Sequence, residues 1–318
     1  MRYLITGGAG FIGSNLANYY SSAGHDVVVV DNLSTGKIQN LLSGIKVYKK
    51  DITDYEFMKN ILKKGKFDYI FHLAAVASVA DSISRPIETH KINNESVIML
   101  LELIKSHAKN LKRFVFASSA AVYGNELTLP KSEKSIIRPL SPYAIDKFSS
   151  EVFTTMYCEL YNVPTSCVRF FNVYGPNQNP TSPYSGVISL LNDSFNRNPA
   201  NSEIDFTVFG NGKQTRDFIY VKDVVSALEK VATSAFSKGE VYNVGTGSSN
   251  SLNEVIEIMS KIYKRKIKIQ YLPSRPGDIT HSVSSIDKLK KLGFIPEYDL
   301  EKGLSCYIKN EIDKGNLL

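Results

Sequence analysis

R-Y-L-I-T-G-G-A-G-F-I-G-S-N, residues 2–15, decides the fold of this chain. A short apolar run (2–5) meets a glycine turn with Gly7, Gly10 and Gly13 at three-residue intervals, and an amphipathic segment follows over 14–23. The reading is strand, tight turn, helix. Small residues there let the backbone approach a pyrophosphate, whose charge then sits at the helix N-terminus. The next apolar run, 26–30, ends in Asp31. An acid about 20 positions along binds adenosine ribose hydroxyls and repels a 2′-phosphate, so the expected dinucleotide is NAD rather than NADP.

Outward from this unit the pattern repeats. The polar loop N-L-S-T-G offers Asn32, Ser34, Thr35 and Gly36 for further ribose and phosphate contacts. A strand at 47–50 runs into Asp51 and Ile52, another is expected at 67–75, a helix at 93–107 and a strand at 113–117. His72 has no second histidine at ligand spacing and reads as a core residue; no cluster elsewhere suggests a metal. Strands alternating with helices imply an α/β fold, a Rossmann-like doubly wound parallel sheet. Beyond Gly175 asparagine, proline and serine crowd the chain and the alternation breaks down. The expected division is a dinucleotide-binding domain over 1–175, to which 217–247 partly returns, and a smaller C-terminal α/β substrate-binding region over 176–318.

The chemistry-bearing stretch is F-V-F-A-S-S-A-A-V-Y-G (114–124) followed by R-P-L-S-P-Y-A-I-D-K (138–147). A buried strand would deliver Ser118 and Ser119 to a loop. Ser141 reads as a helix cap with Pro142 at the first helical position, and the helix runs to Tyr161 before Pro164. Its apolar stripe of Val152, Phe153, Met156, Tyr157 and Leu160 reads as core. Tyr143 and Lys147, four apart, share one helix face, and a phenol beside an ammonium with a serine hydroxyl nearby forms an acid/base set. The same spacing recurs at Tyr55–Lys59 and Tyr298–Lys302, but without a serine-bearing strand end before it.

Bulk composition sets the limits. The chain has 318 residues, 43% hydrophobic and 22% charged, which is ordinary for a globular protein and excludes global disorder. Its net charge of +7 is spread over short clusters without interleaved aromatics, so these read as solvated surface rather than a nucleic-acid face. Cys158, Cys167 and Cys306 are odd in number and far apart, which points to reduced thiols in a cytoplasmic protein. No signal-peptide pattern opens the chain and no apolar run reaches the length of a membrane span.

In order along the chain, T-G-G-A-G-F-I-G, D-N-L-S-T-G, H-L-A-A, S-S-A-A-V-Y-G, S-P-Y-A-I-D-K, R-F-F-N-V-Y-G-P, R-D-F-I-Y-V-K-D-V and R-P-G-D resemble the extended short-chain dehydrogenase/reductase family. Within it they look most like the nucleotide-sugar 4-epimerases. The resemblance implies that Phe11, Ile12, Asp51, Ile52, Leu73, Ala74, Ala75, Asn93, Ser118 and Phe170 join the residues above in holding NAD, together with Tyr143 and Lys147. It implies that Tyr143 removes the proton of the sugar 4-hydroxyl, with Ser119 bonded to the same hydroxyl. A free tyrosine titrates at about 10, so base strength near neutrality needs a shift of roughly 3 units, about 4 kcal/mol, with Lys147 as one source of positive charge. Asn172, Arg216 and Arg275 would grip the diphosphate and Asp278 the uridine ribose, while Gly186, Val187, Thr207, Val208 and Phe209 would wall the uracil.

Two positions narrow the reaction. Dehydratases and decarboxylases of the family carry acids just after the serine, whereas here Ala120 and Ala121 cannot transfer protons. Seven residues after Arg275, where the family sets a residue against the sugar's 2-substituent, stands Ser282, small enough to admit an N-acetyl group. The implied substrate is UDP-N-acetylglucosamine/UDP-N-acetylgalactosamine, with UDP-glucose/UDP-galactose as a second pair. UDP-glucuronate is the alternative sugar, and a dinucleotide-sensing or RNA-binding protein the alternative of another class. The family pattern is broken at Ser96, where glycine is usual, and at Phe170, where some epimerases have tyrosine. Expected partners are the UDP-sugar and a second copy of the chain, paired through the helices at 93–107 and 143–161. Neither nucleic acid nor membrane is expected.

Overall fold

The computed structural model describes residues 1–180, 186–197, 203–274 and 279–313. Its first half runs β1 (Arg2–Thr6), α1 (Phe11–Ser22), β2 (Asp26–Asp31), β3 (Lys46–Lys49), α2 (Tyr55–Gly65), β4 (Tyr69–His72), α3 (Val79–Ser84) and α4 (Pro86–His90). A π turn (Lys91–Glu95) leads into α5 (Ser96–His107), then β5 (Arg113–Ser119), α6 (Pro142–Tyr161) and β6 (Thr165–Phe170). The second half continues with β7 (Asn172–Tyr174), α7 (Val187–Arg197), β8 (Glu203–Phe209), β9 (Thr215–Arg216), β10 (Phe218–Tyr220) and α8 (Val221–Thr233). It ends with β11 (Val241–Val244), β12 (Asn250–Ser251), α9 (Leu252–Tyr263), β13 (Lys266–Leu272), α10 (Asp287–Lys290) and α11 (Leu300–Asp313).

Seven parallel strands form one sheet in the order β3-β2-β1-β4-β5-β6-β11. Helices cover both faces. Leu16 and Tyr20 of α1 meet Val224, Leu228 and Val231 of α8 on one side. Met58 of α2, Leu100 and Ile104 of α5 and Tyr157 of α6 pack on the other. Each such buried apolar side chain contributes roughly 1.5–3 kcal/mol relative to exposure. This is a Rossmann-like doubly wound α/β sheet. A third core, with Ile188, Phe195, Val255 and Leu304, joins α7, α9 and α11 to the parallel pair β8–β13.

Four departures from the sequence expectations bear on how the site is built. β5 does not release its serines to a loop, because its ladder with β6 persists to the pair Ser119↔Phe170. α1 starts at Phe11 rather than Ser14, since the Ser14 N–H already bonds the Gly10 carbonyl. The helix expected from 93 opens as the π turn, and the Ser96 hydroxyl donates to the Ile92 carbonyl at its exit. The apolar stripe of α6 is split. Tyr157 is buried, and Phe153 and Met156 pack on the core, whereas Val152 (46% exposed) and Leu160 (62%) face outward.

Candidate active site

The strand order reverses between β1 and β4, and a cleft of about 520 Å3 lies there. Its floor is the glycine turn. Gly7 has φ +69°, and a Cβ on it would sit 2.6 Å from the Ala74 nitrogen; a Cβ on Gly13 would collide with the Gly7 carbonyl. α1 has no acidic residue in its first turn, so its N-terminus meets an incoming anion without repulsion. Gly10, Phe11 and Ile12 line the cleft beside it.

Asp31 ends β2, 7% exposed. Its carboxylate accepts from the Ala9 N–H (2.9 Å) and the Leu33 N–H (2.8 Å), which fixes its direction and leaves lone pairs for ribose hydroxyls. Asn32, Ser34 and Thr35 follow on the same wall. Asn32 donates to Asp51 at 2.8 Å. Burial pushes the Asp51 carboxyl up, but hydrogen bonds from Thr53 and Asn32 outweigh it and hold it below the usual carboxylate range. Ile52, Leu73, Ala74, Ala75, Ser118 and Phe170 complete the wall. The Ser118 hydroxyl is buried without a partner among the described residues. An anion-receptive helix end, a glycine cradle, a fixed acid and an orphan hydroxyl fit a dinucleotide.

Two of the residues named for this role stand back from the wall. Gly36 packs against Ala9 and Asp31, where a Cβ would not fit. Asn93 spends its amide on Val76, accepting from its N–H (2.8 Å) and donating to its carbonyl (3.1 Å), and so pins the loop after β4.

Ser119, Tyr143 and Lys147 all border the same cleft. Ser119 arrives on β5, and its hydroxyl accepts from the Ala121 N–H at 3.2 Å. Tyr143 and Lys147 come from α6, whose cap Ser141 accepts from the Ala144 N–H. The helix is locked in place farther along, where Glu151 grips Arg169 of β6 through two oxygens (2.6 and 3.0 Å) and Arg169 also donates to the Tyr123 hydroxyl (2.8 Å). Lys147 donates to the Ala117 carbonyl at 2.8 Å, and its nitrogen lies 6.0 Å from the Tyr143 ring centre. Burial raises Tyr143 above its ordinary phenol value, and the adjoining Ser119 hydroxyl pulls the other way. Burial pushes Lys147 down to about 8. His72, below them, stacks on Phe114 and Phe116 and shares a hydrogen bond with the Thr6 hydroxyl. Burial, with Lys147 nearby, takes it down to about 3, so its imidazole is neutral.

A second cleft of about 360 Å3 opens beside the first. The two share Asn172, Val173, Gln178 and Gly186. Val187, Thr207, Val208, Phe209 and Arg216 line it. Ser282 lines neither cleft; its N–H bonds the Thr215 carbonyl at 3.1 Å, which seats it next to the strand carrying Arg216. Arg275 and Asp278 lie outside the described residues.

Two residues of this region escaped the sequence reading. Gln178 stands where the clefts meet, and its carbonyl oxygen is buried without a partner among the described residues. Its position just after R-F-F-N-V-Y-G-P was the available signal. Asp217, fully buried, accepts from Thr246 and Gly247 on one loop and from Ser284 on another, tying both to the neighbour of Arg216. The two other tyrosine–lysine pairs line neither cleft, and each lysine merely lies over its own tyrosine ring (5.6 and 4.8 Å).

With this geometry in view, comparison with known proteins is consistent. The family model described as GDP-mannose 4,6 dehydratase matches residues 4–306. A curated relative, a putative UDP-glucose 4-epimerase of Methanocaldococcus jannaschii, is 35% identical over 302 residues, covering 95% of each chain. The solved structure of the UDP-N-acetylglucosamine 4-epimerase of Methanobrevibacter ruminantium, in complex with UDP-N-acetylmuramic acid, superposes with a TM-score of 0.91 at 36% identity over 98% of both chains. The UDP-glucose 4-epimerase of Thermus thermophilus, in complex with NAD, gives 0.87 at 30% identity over 97% of this chain and 98% of that one. From its first strand to the last helix of the third core, this chain belongs to the NAD-dependent nucleotide-sugar 4-epimerases of the extended short-chain dehydrogenase/reductase family.

Proposed function

We propose that the chain interconverts UDP-N-acetylglucosamine and UDP-N-acetylgalactosamine at carbon 4 through a 4-keto sugar, with UDP-glucose and UDP-galactose as a second pair. The observation that carries the reaction is the meeting of Ser119, Tyr143 and Lys147 in one cleft, with alanine at both positions after the serine. NAD, which the glycine turn and Asp31 would hold, would supply a positive charge and a reversible hydride acceptor for carbon 4. Tyr143 takes the 4-hydroxyl proton and later gives it back. Ser119 hydrogen-bonds that hydroxyl and sets its distance from Tyr143. Lys147, anchored on the Ala117 carbonyl, contributes the protein's own positive charge, without which burial keeps the phenol protonated. Ala120 and Ala121 offer no group to eliminate water from the sugar, so the ketone is reduced again rather than dehydrated.

For the sugar, the support is the family position of Ser282, a small residue seated beside the strand of Arg216 though outside both clefts, and a scarcity of cations. Among the described residues only Lys147 and Arg216 are cationic on either cleft wall, which disfavours a glucuronate carboxylate. Arg216, with Arg275 and Asp278, is assigned to the nucleotide, and Asn172 to its phosphates. We also infer a homodimer through the outward faces of α5 and α6 and a cytoplasmic site of action; among the described residues no helix is long and apolar enough to cross a membrane.

The test is incubation with single UDP-sugars, without added reductant, followed by NMR. Epimer pairs are expected, and Tyr143→Phe should abolish turnover while leaving NAD bound. Turnover of UDP-glucose with none of UDP-N-acetylglucosamine would overturn the sugar assignment. Salt-sensitive RNA binding without any turnover would overturn the enzyme reading.

A further inference from the structure

Asp146 sits between the two catalytic positions of α6, and the chemistry above gives it no role. It is 3% exposed, and its neighbour Lys147 is equally buried. Among the described residues Lys147 has one hydrogen bond, to the neutral Ala117 carbonyl, and no carboxylate within ion-pair distance. A buried ammonium without a counter-charge is costly and tends to lose its proton. Adjacent side chains on a helix diverge, so Asp146 does not touch Lys147; it acts through space, in surroundings where a charge is felt strongly.

The carboxylate is itself held. His90 Nδ1 of α4 lies 2.6 Å from Asp146 Oδ1, and an ionised carboxylate makes that bond only to a protonated nitrogen. The other oxygen, Oδ2, is buried with no partner among the described residues, so part of its charge is not quenched by hydrogen bonding.

The remaining charges on the elements packed against α6 are engaged elsewhere or face outward. Asp81 of α3 and Glu88 of α4 both pair with Arg85. Lys91 and Glu95 of the π turn are exposed. Glu102 of α5 holds Lys105 and the Tyr157 hydroxyl. Arg169 of β6 is bound to Glu151, with Tyr123 bonded to it, and Arg113 lies at the far end of β5, bonded to the Ser234 carbonyl.

We propose that Asp146, oriented by His90, is a positioning residue for the epimerase: its buried carboxylate keeps Lys147 protonated, and so keeps the positive charge that Tyr143 needs to release its proton. The assignment rests on the epimerase reading. In support, Asp146 is the one charge that pulls Lys147 back up against the effect of burial.

The experiment is the pH dependence of kcat and KM for wild type and Asp146→Asn, on whichever UDP-sugar the wild type turns over. Loss of the Lys147 proton sets the alkaline limb. Asp146→Asn is expected to move that limb down by about one pH unit, the low end for a nearby charge. At pH 8 kcat should fall roughly fivefold, while at pH 6 kcat and KM stay within about twofold. Should the asparagine variant fail to fold, Asp146→Ser, smaller and also neutral, reads the same limb. A limb that stays in the wild-type position, or a kcat lowered equally at all pH values, makes Asp146 merely structural and overturns the inference alone. A wild type that turns over no nucleotide sugar removes the function reading and this inference with it.

Discussion

His72 shows how one buried side chain ties acid stability to the active site. Its folded value of about 3 lies below the ordinary histidine value because of burial first and Lys147 second. Below about 6.5 the unfolded chain takes up a proton that the folded chain refuses, so stability falls as pH drops towards 3. Between pH 7 and 5.5 this one group should remove about 1 kcal/mol. His72→Gln, which keeps a polar partner for Thr6 but does not titrate, is expected to abolish that part of the slope in urea unfolding at the two pH values. An unchanged slope would place the acid sensitivity elsewhere. At this scale the sequence was most informative where chemistry is local. The glycine turn, Asp31 and the Tyr143–Lys147 spacing depend on neighbours within one turn or loop. Asp146 and Asp217 went unread because what matters about each is its contact with a distant segment, and Gln178 because the fold alone sets it where two clefts meet. Asp217, for example, meets Thr246 and Ser284 across 29 and 67 positions.

Among the elements, α6 carries most of the functional load. One end presents Tyr143 and Lys147 to the cleft, its middle is clamped by Glu151 to Arg169, and its outer face shows Val152 and Leu160. Periodicity alone made Val152, Phe153, Met156, Tyr157 and Leu160 a single stripe. An apolar band this wide on a helix spans more than one neighbour, and only packing shows which of its residues the core takes. The outward residues suit the paired-helix dimer inferred above. Val152→Asp with Leu160→Glu should convert a dimer into a monomer in sedimentation, without loss of helical signal. Sedimentation unchanged by the double variant would move the interface elsewhere. The run of β5 through both serines was likewise not legible, because it depends on a ladder to β6 rather than on the residues of β5 itself.

Across the whole molecule, the sheet cannot be closed by the first part of the chain. β11 pairs with β6 in register from Val241↔Cys167 to Val244↔Phe170, and α8 covers the face shared by β1, β4 and β5. A fragment of residues 1–175 would lack both. It should be aggregation-prone and show no cooperative melting transition, which circular dichroism with size-exclusion chromatography would read; a monomeric, cooperatively melting fragment would contradict this. The doubly wound architecture itself was legible, since strand–turn–helix alternation is a local signal repeated many times. The return of 217–247 to this domain was expected from its own strand–helix–strand pattern, but nothing in V-Y-N-V announces β6 as its neighbour. The same pairing bears on how the protein is made. At roughly 5–20 residues per second, translation leaves several seconds between the emergence of β6 and that of β11. Throughout that interval the row of backbone donors and acceptors along β6 is open to any strand that reaches it first, from a nascent neighbour as readily as from its own chain.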